Sequence, residues 1–414
     1  MTRVVVIGAG AREHALARSL GPAAEVIVSP GNAGIEADGI ACSRAPAWEL
    51  GAELVVVGPE QPLVDGLGDE LRARGVAVLG PGRDGARLEG SKAFLKEFLS
   101  SAGVPTARYG TFDEPGPALA YLETMVPPYV IKTDGLAAGK GVLVTSELAE
   151  ARTDVADKLA GRSFGRAGTR VVIEEGLEGF ECSLHALCDG RRVAALVSAQ
   201  DFKRVGDADR GPNTGGMGAF APLAAVTGAA VEQVMDLIVE PTLAELVRRG
   251  IDYRGVLYAG LMIGPAGPKL IEYNVRFGDP ETEVLAPLYG SELLELTYAA
   301  ATGELVAPRP VRGAAVTVVL AAQGYPGAPR RGDVIEGLGA DGQLGTPLEG
   351  VSVYHAGTAR DADGRFVTAG GRVLAISALG PSIGVARERA YAAAATVSFD
   401  GMVMRTDIAG KVTP

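Results

Sequence analysis

The sequence is poor in the residues that bridge or metallate a fold. Three cysteines, Cys42, Cys182 and Cys188, are spread over 414 residues, and no two form a CxxC pair. That spacing excludes a disulfide framework, and reduced, partly buried thiols in a reducing compartment are expected. Histidine is as scarce: His14, His185 and His355 stand alone, without zinc spacing. Long apolar runs are missing too. The longest, such as Ala314–Ala322, have the length of a strand and are too short to cross a bilayer. Arg12 and Glu13 break the apolar N-terminus before it could serve as a signal peptide. A cytoplasmic protein with no membrane partner is expected. Positive charge is in deficit: the net charge is −11, which argues against nucleic-acid and anionic-membrane partners. A small anionic substrate stays compatible, because a few N–H groups and basic side chains can hold one locally. Lysine is the last scarcity. Only eight of the 39 basic residues are lysine, and Lys92, Lys132, Lys140 and Lys203 lie in Gly- or Asp-rich segments. A compact ammonium kept where arginine serves elsewhere suits a phosphate, with chance as the alternative.

What is present is a globular composition, 47% hydrophobic and 21% charged, on a length that at roughly 150 residues per domain suggests about three domains. The 58 glycines and 25 prolines imply many turns. Residues 1 to about 90 alternate strands (Val4–Ile7, Glu25–Val28, Leu54–Val57, Val76–Leu79) with helices, including one at Asp65–Arg74. This is the pattern of a doubly wound α/β unit, whose ligands lie beyond the C-terminal strand ends. Gly8, Pro30-Gly31-Asn32 and Gly58-Pro59-Glu60 all fall there. A helix from Ser91 to Ala102 follows, with Ser91 as N-cap. From about 111 to 178 a smaller α+β unit is expected, with strands Tyr129–Lys132 and Gly141–Val144 forming a hairpin. Further on, the strand Val256–Ile263 turns through Gly264–Pro268 into Lys269–Arg276.

Three stretches carry chemistry. Gly8-Ala9-Gly10-Ala11-Arg12-Glu13 resembles a dinucleotide fingerprint, but Glu13 replaces the third glycine and no acid ends the second strand. A tight turn whose N–H groups face a phosphate is the functional reading; a purely structural turn is the other. Lys132–Gly141 is glycine-rich with a lysine near each end, yet Gly141 stands where a Walker A motif needs Ser or Thr. Such a hairpin suits a lid over phosphates, its glycines admitting oxygens to the backbone. Glu272 and Asn274 stand two apart on a strand, so they share a face with Arg276, while Ile271, Tyr273 and Val275 face the other way. A carboxylate beside an amide oxygen is hard ligation suited to Mg²⁺, and a polar solvent face is the bland alternative. Asp201–Arg204 and Arg210–Gly218 add a long polar, glycine-rich loop.

Taken in order, these stretches resemble the phosphoribosylamine–glycine ligase (glycinamide ribonucleotide synthetase) family of the ATP-grasp superfamily. The likeness runs through Gly8–Leu16, Pro30–Gly34, Gly58–Glu60, Glu89–Lys92, Lys132–Gly141, Glu174-Glu175, Gly211–Gly218, Ile271–Glu281, His355–Thr358 and Gly370–Leu374. It implies an α/β fold with an α+β lid: an N-terminal phosphoribosylamine domain over 1–90, an ATP-grasp domain over 91–305 with its lid at about 111–178, and an α+β C-terminal domain over 306–414. It implies ATP held by Lys92, Lys132, Glu174, Glu175, Leu177 and Glu181, and Mg²⁺ or Mn²⁺ held by Glu272 and Asn274. Arg276, Asp279 and Lys140 would be catalytic. Gly8, Gly10, Arg12, Glu13, Asn32, Gly58, Pro59, Glu60, Asp201, Lys203, Asn213, Thr214 and Gly215 would bind substrate. The implied reaction joins glycine to 5-phosphoribosylamine through glycyl phosphate, in a chain expected to be a monomer. Ala11, Phe180, Phe202 and Ala369 depart from the family's usual Gly, Glu, His and Asn. A nicotinamide-linked oxidoreductase, another ATP-grasp ligase and a non-enzymatic ATP-binding module are the competing readings.

Overall fold

The computed structural model describes residues 2–136, 141–162 and 169–410. Its first unit is a parallel sheet in the order Ala41–Cys42, Ala24–Pro30, Thr2–Gly8, Leu54–Val57, Ala77–Leu79. Leu54 to Val57 are all buried, as a strand covered on both faces requires. Because Gly8 pairs with Pro30 and Ile7 with Val57, the turns at Gly8–Gly10, Gly31-Asn32 and Gly58–Glu60 open at one edge. The helix expected at Asp65–Arg74 is two, Glu60–Asp65 and Leu67–Ala73. Gly66 breaks it with φ of 99°, a left-handed conformation that suits glycine.

The helix Lys92–Ala102 leads into a four-stranded antiparallel sheet ordered Tyr109–Phe112, Val171–Glu175, Tyr129–Thr133, Val142–Thr145. The hairpin is antiparallel as read from the sequence, and two helices, Pro115–Leu122 and Leu148–Leu159, pack on this sheet. Their shared core of Ala118, Leu122, Ile131, Val155 and Ile173 is separate from the rest. A unit with a core of its own can pivot without opening its neighbour's.

A second antiparallel sheet holds Val193–Ala195, Phe180–Asp189, Arg254–Gly264 and Gly267–Asn274. Here the expected alternation fails at one point. Gly260 pairs with Glu272 but Leu261 with Leu270, so Ile271 is an extra residue in a bulge. Leu270, Tyr273 and Val275 are buried while Ile271 and Glu272 are half-buried. Ile271 therefore does not share the buried face of Tyr273 and Val275, contrary to the sequence expectation.

The last sheet runs Gln200–Asp201, Gly218–Ala221, Ala314–Ala321, Arg372–Gly380, Val351–His355, with the helix Ile383–Ala394 against it. Its first two strands come from the middle of the chain. One apolar core runs from Val55 and Val57 through Leu184 and Leu257 to Val316 and Ile376.

Candidate active site

The edge of the first sheet meets the end of the strand Gly267–Asn274. Glu13 bends back over the start of its own helix, Ala11–Leu20: Oε2 accepts the Gly10 N–H at 2.6 Å and Oε1 accepts Arg12 Nε at 2.6 Å. Its carboxylate fills a cradle of glycines. A Cβ on Gly58 would lie 2.0 Å from Glu13 Oε1, and one on Gly8 2.5 Å from Cδ. The anion attracted to this helix N-terminus is thus the chain's own carboxylate. Arg12, also buried, donates from Nη1 to the Phe277 carbonyl at 3.3 Å. Asn32 spends its side chain on joining units: Oδ1 caps the helix Ala33–Ala37, and Nδ2 donates to the carbonyls of Ala9 and His355 at 2.9 Å. Pro59 is the N-cap position of the helix that begins with Glu60.

Arg276 is held from both sides. Nη2 lies 2.9 Å from Glu89 Oε1 and 3.2 Å from Asn274 Oδ1, and Nε lies 3.4 Å from Glu60 Oε2. Glu89 also accepts the Val275 N–H at 2.8 Å. Burial opposes the Arg276 charge, but Glu89 and Glu60 hold its proton more tightly than usual. Burial would raise Glu60 as well, yet Arg276 and Arg12 keep its carboxyl below the usual range; for Glu89 burial prevails and the shift is upward. Asp279 pairs with Arg372 at 2.9 Å, and a Cβ on Gly10 would lie 3.9 Å from its Oδ2. Glu272 lies opposite Gly260, where a Cβ would come within 3.4 Å of its Cγ. Glu272 and Asn274 offer two hard oxygen donors, and no cluster of three acidic, histidine or cysteine ligands exists among the described residues. That set fits a small cation which takes its remaining oxygens from water and phosphate.

Buried lysines lie where the two antiparallel sheets meet. Lys132, on the hairpin strand, lies 3.1 Å from Glu174 Oε1 and donates to the Ile271 carbonyl at 3.2 Å. Lys96 lies 3.1 Å from Glu174 Oε2 and 2.7 Å from Thr106 Oγ1. Burial pulls the Lys96 ammonium down to about 8, against the opposing pull of Glu174. Lys92 Nζ approaches the Gly135 carbonyl at 3.5 Å, and Asp134 accepts from Ser91 Oγ at 2.9 Å and from the Ala93 N–H at 3.1 Å. The first turn of the helix Lys92–Ala102, capped by Ser91 as expected, thereby anchors the start of the hairpin loop. Lys140 lies outside the described residues. Glu175 takes the Arg108 N–H at 3.1 Å and Lys269 at 3.2 Å. Leu177, half-buried, sits in the link from Val171–Glu175 to the strand Phe180–Asp189.

On the far wall, Lys203 bridges Glu181 at 2.6 Å and Asp201 at 2.8 Å. Burial pushes the Asp201 carboxyl up to about 7 even beside Lys203. Thr214 Oγ1 donates to the Lys203 carbonyl at 2.7 Å, Gly215 N–H donates to Tyr325 OH at 2.9 Å, and Arg372 donates to the Gly215 carbonyl at 2.6 Å. Asn213 ends the strand Arg210–Asn213 that leads into this loop. Phe202 lies under Arg405, whose guanidinium carbon is 4.8 Å from its ring centre. Sequence reasoning missed Lys96, Glu89, Arg372 and Glu283. Glu89 and Arg372 stood in stretches that carry the family likeness but had no role of their own there, and Lys96 carried a signal as one of eight lysines, placed one turn after Lys92.

A small antiparallel lid hinged on a second antiparallel sheet, with buried lysines between them and an oxygen-rich strand beyond, defines an ATP-grasp enzyme. Residues 2–89, 90–282 and 315–411 match in turn the N domain, the ATP-grasp (A) domain and the C domain of phosphoribosylglycinamide synthetase. The chain is 48% identical to the phosphoribosylamine–glycine ligase of Streptomyces coelicolor over 424 residues, 99% of each chain. It is 47% identical to that of Caulobacter vibrioides, over 98% of this chain and 97% of the other. Its fold is similar to the crystal structure of phosphoribosylamine–glycine ligase from Thermotoga maritima, with a TM-score of 0.87 and 37% identity over 98% of this chain and 100% of that one. The biotin carboxylase domain of a Hydrogenobacter thermophilus 2-oxoglutarate carboxylase shares the fold, with a TM-score of 0.73 at 19% identity over 97% and 91% of the two chains. The chain belongs to the phosphoribosylglycinamide synthetase family. It is an ATP-using ligase acting on small molecules, and no helix among the described residues is long and apolar enough to cross a membrane.

Proposed function

We propose that this chain joins glycine to 5-phosphoribosylamine at the expense of ATP, giving glycinamide ribonucleotide, ADP and phosphate in purine biosynthesis. The observation that supports it best is the meeting of Arg12 and Glu60 with Phe277 and Arg276, just beyond the strand whose Ile271 carbonyl accepts from the lid's Lys132. An activated carboxylate on one side and an amine held by its phosphate on the other need such a junction. A glycine carboxylate is a poor electrophile, and transfer of the γ-phosphoryl group to it makes glycyl phosphate. The amine then attacks the acyl carbon and phosphate leaves. Lys92, Lys132 and Lys140 balance phosphate charge in this reading, while Glu174, Glu175, Leu177 and Glu181 line the adenosine side. Glu272 and Asn274 would hold Mg²⁺ or Mn²⁺, which when bound neutralises charge on the phosphates. Arg276 and Asp279 orient glycine and the acyl phosphate. Arg12, Glu13, Asn32 and Gly58–Glu60 form the amine side, and Asp201, Lys203 and Asn213–Gly215 close the far wall. Closure of the lid excludes the water that would hydrolyse the intermediate. The domains divide near residues 90 and 305, and the enzyme works as a cytoplasmic monomer.

The test is turnover with all three substrates, the amine generated in situ. Rapid phosphate release should require glycine and amine together, and Arg12→Ala should raise the requirement for the amine more than that for ATP. Full activity with bicarbonate or D-alanine, and none with glycine, would overturn the substrates while leaving the ATP-grasp chemistry.

A further inference from the structure

A fully buried carboxyl group, Glu283, and a half-buried one, Asp279, lie side by side where the three units meet. Asp279 follows the oxygen-rich strand; Glu283 stands one turn later, at the start of the helix Thr282–Tyr289, with 0% exposure. The carboxyl groups are within hydrogen-bonding reach of each other. Their company differs. Asp279 takes Arg372 Nη2 at 2.9 Å and has Arg12 nearby. Neither oxygen of Glu283 makes a well-formed hydrogen bond among the described residues, although its own backbone N–H and the Arg372 guanidinium lie near enough to favour its charge. Other charged or titratable groups facing the pair are Arg276, which acts on Asp279, and Tyr354, on the strand Val351–His355; Glu281, which precedes the helix, faces Arg372. None of these supplies Glu283 with a cation of its own.

Charge on one of two adjacent carboxyl groups disfavours charge on the other, and full burial of Glu283 adds to this, so one proton stays. It stays where cations compensate the charge less: Arg372 acts on both carboxyl groups, but Arg12 and Arg276 act on Asp279 alone. Burial first, and then the Asp279 charge, lifts the Glu283 carboxyl far above its ordinary range, while Arg372 and Arg12 keep Asp279 below its own against the effect of burial. We propose that Glu283 is a neutral carboxylic acid that donates its proton to Asp279, fixing the Asp279 carboxylate between Arg372 and the turn at Gly10. Glu283 is then a positioning residue. Its bearing on turnover rests on the reading of Asp279 as part of the active site, but the shared proton does not. The acid also satisfies a bookkeeping problem of the core: as an anion, Glu283 would be buried without a well-formed hydrogen bond, whereas as an acid it completes one.

A carboxamide has the same shape and can donate in the same direction, so glutamine should replace the acid where leucine cannot. Phosphate release and thermal midpoints of the full chain and of Glu283→Leu and Glu283→Gln are compared from pH 5 to 9. Glu283→Leu should lower kcat at least about tenfold with little change in the KM for ATP, and Glu283→Gln should restore most of that loss. Stability carries a separate signature. Because the folded-state proton is held above the unfolded value, the native chain binds one more proton than the unfolded chain above roughly pH 4.5, and stability falls as pH rises. Glu283→Gln removes that slope, so its melting point should gain on the parent as pH rises. An offset equal at every pH, or a glutamine variant as impaired as leucine, would show an ionised glutamate and overturn the proposal. The melting comparison decides it even if glycine proves not to be the substrate, or if the leucine variant does not fold.

Discussion

Removing the Glu174 carboxylate should destabilise the lid far more than an ordinary side-chain truncation. Glu174 is the shared counter-ion of two buried lysines, 3.1 Å from each, and all three residues are almost fully enclosed. Breaking a buried ion pair by deleting one partner typically costs about 3–5 kcal/mol, because the remaining charge is left uncompensated. Here two ammonium groups would remain, and Lys96 is already pulled to about 8 by burial. Without Glu174 it should release its proton near neutrality, which caps the loss. Glu174→Ala mixes charge with packing, so Glu174→Gln is the cleaner probe: it keeps the volume and removes only the charge. With a urea m-value of about 2–3 kcal/mol/M, the lid's midpoint should drop by about 1–2.5 M. Because the lid has its own core, hydrogen exchange should quicken in Tyr129–Thr133 and Val171–Glu175 while Ala314–Ala321 stays protected. A Glu174→Gln protein within about 0.5 kcal/mol of the parent would refute the reasoning, since that is the scale of a neutral surface change.

Gly58→Ala should cost about 1–3 kcal/mol and raise the KM for the amine, because the new Cβ would sit 2.0 Å from Glu13 Oε1 and displace the carboxylate that caps the first helix; calorimetry and amine titration check this. Glu272→Gln should lower turnover by orders of magnitude with the fold intact, and near-normal activity at low Mg²⁺ would remove Glu272 from the ligand set. His355, buried between Thr358 and the Gly342 carbonyl, is pulled by burial down to about 4. The unfolded chain gains this proton near pH 6.5 and the folded chain does not, so stability falls as pH drops from 6.5 towards 4, by up to about 1.4 kcal/mol per pH unit. Urea midpoints of His355→Gln should lack that share of the slope.

The sequence made local features legible and long-range ones opaque, for a physical reason. Leu54–Val57 reads as a buried strand because four consecutive apolar residues suit only a sheet covered on both faces. The lid hairpin was legible because glycines flank two short apolar runs. The bulge at Ile271 was not, since alternation in a sequence says nothing of a backbone that slips by one residue. Nor could any local pattern reveal that Gly218–Ala221 pairs with Ala314–Ala321 almost a hundred residues later. The candidate site divides the same way. Glu272 and Asn274 stand out by spacing, whereas Arg372 enters only because the last sheet swings it onto Asp279 and Gly215. Glu13 was read as one part of a phosphate-binding turn. In the fold its carboxylate stands at the helix N-terminus, where such an anion would sit.

The scarce lysines gain a sharper meaning from this. They were singled out as charges kept for phosphate, but Lys132 faces Glu174, and Lys203 faces Glu181 and Asp201. Lys203 is already balanced by carboxylates of the protein, and Lys132 in part, since it shares Glu174 with Lys96. A triphosphate entering the cleft therefore meets little uncompensated positive charge from these two side chains. Two routes can supply it: a cation brought in at Glu272 and Asn274, or a shift of the carboxylates away from the lysines as the lid closes. The first makes charge balance depend on the nucleotide arriving with its metal. In a chain of net charge −11, that is a physical route to discrimination against nucleotide without metal, independent of any contact with the base.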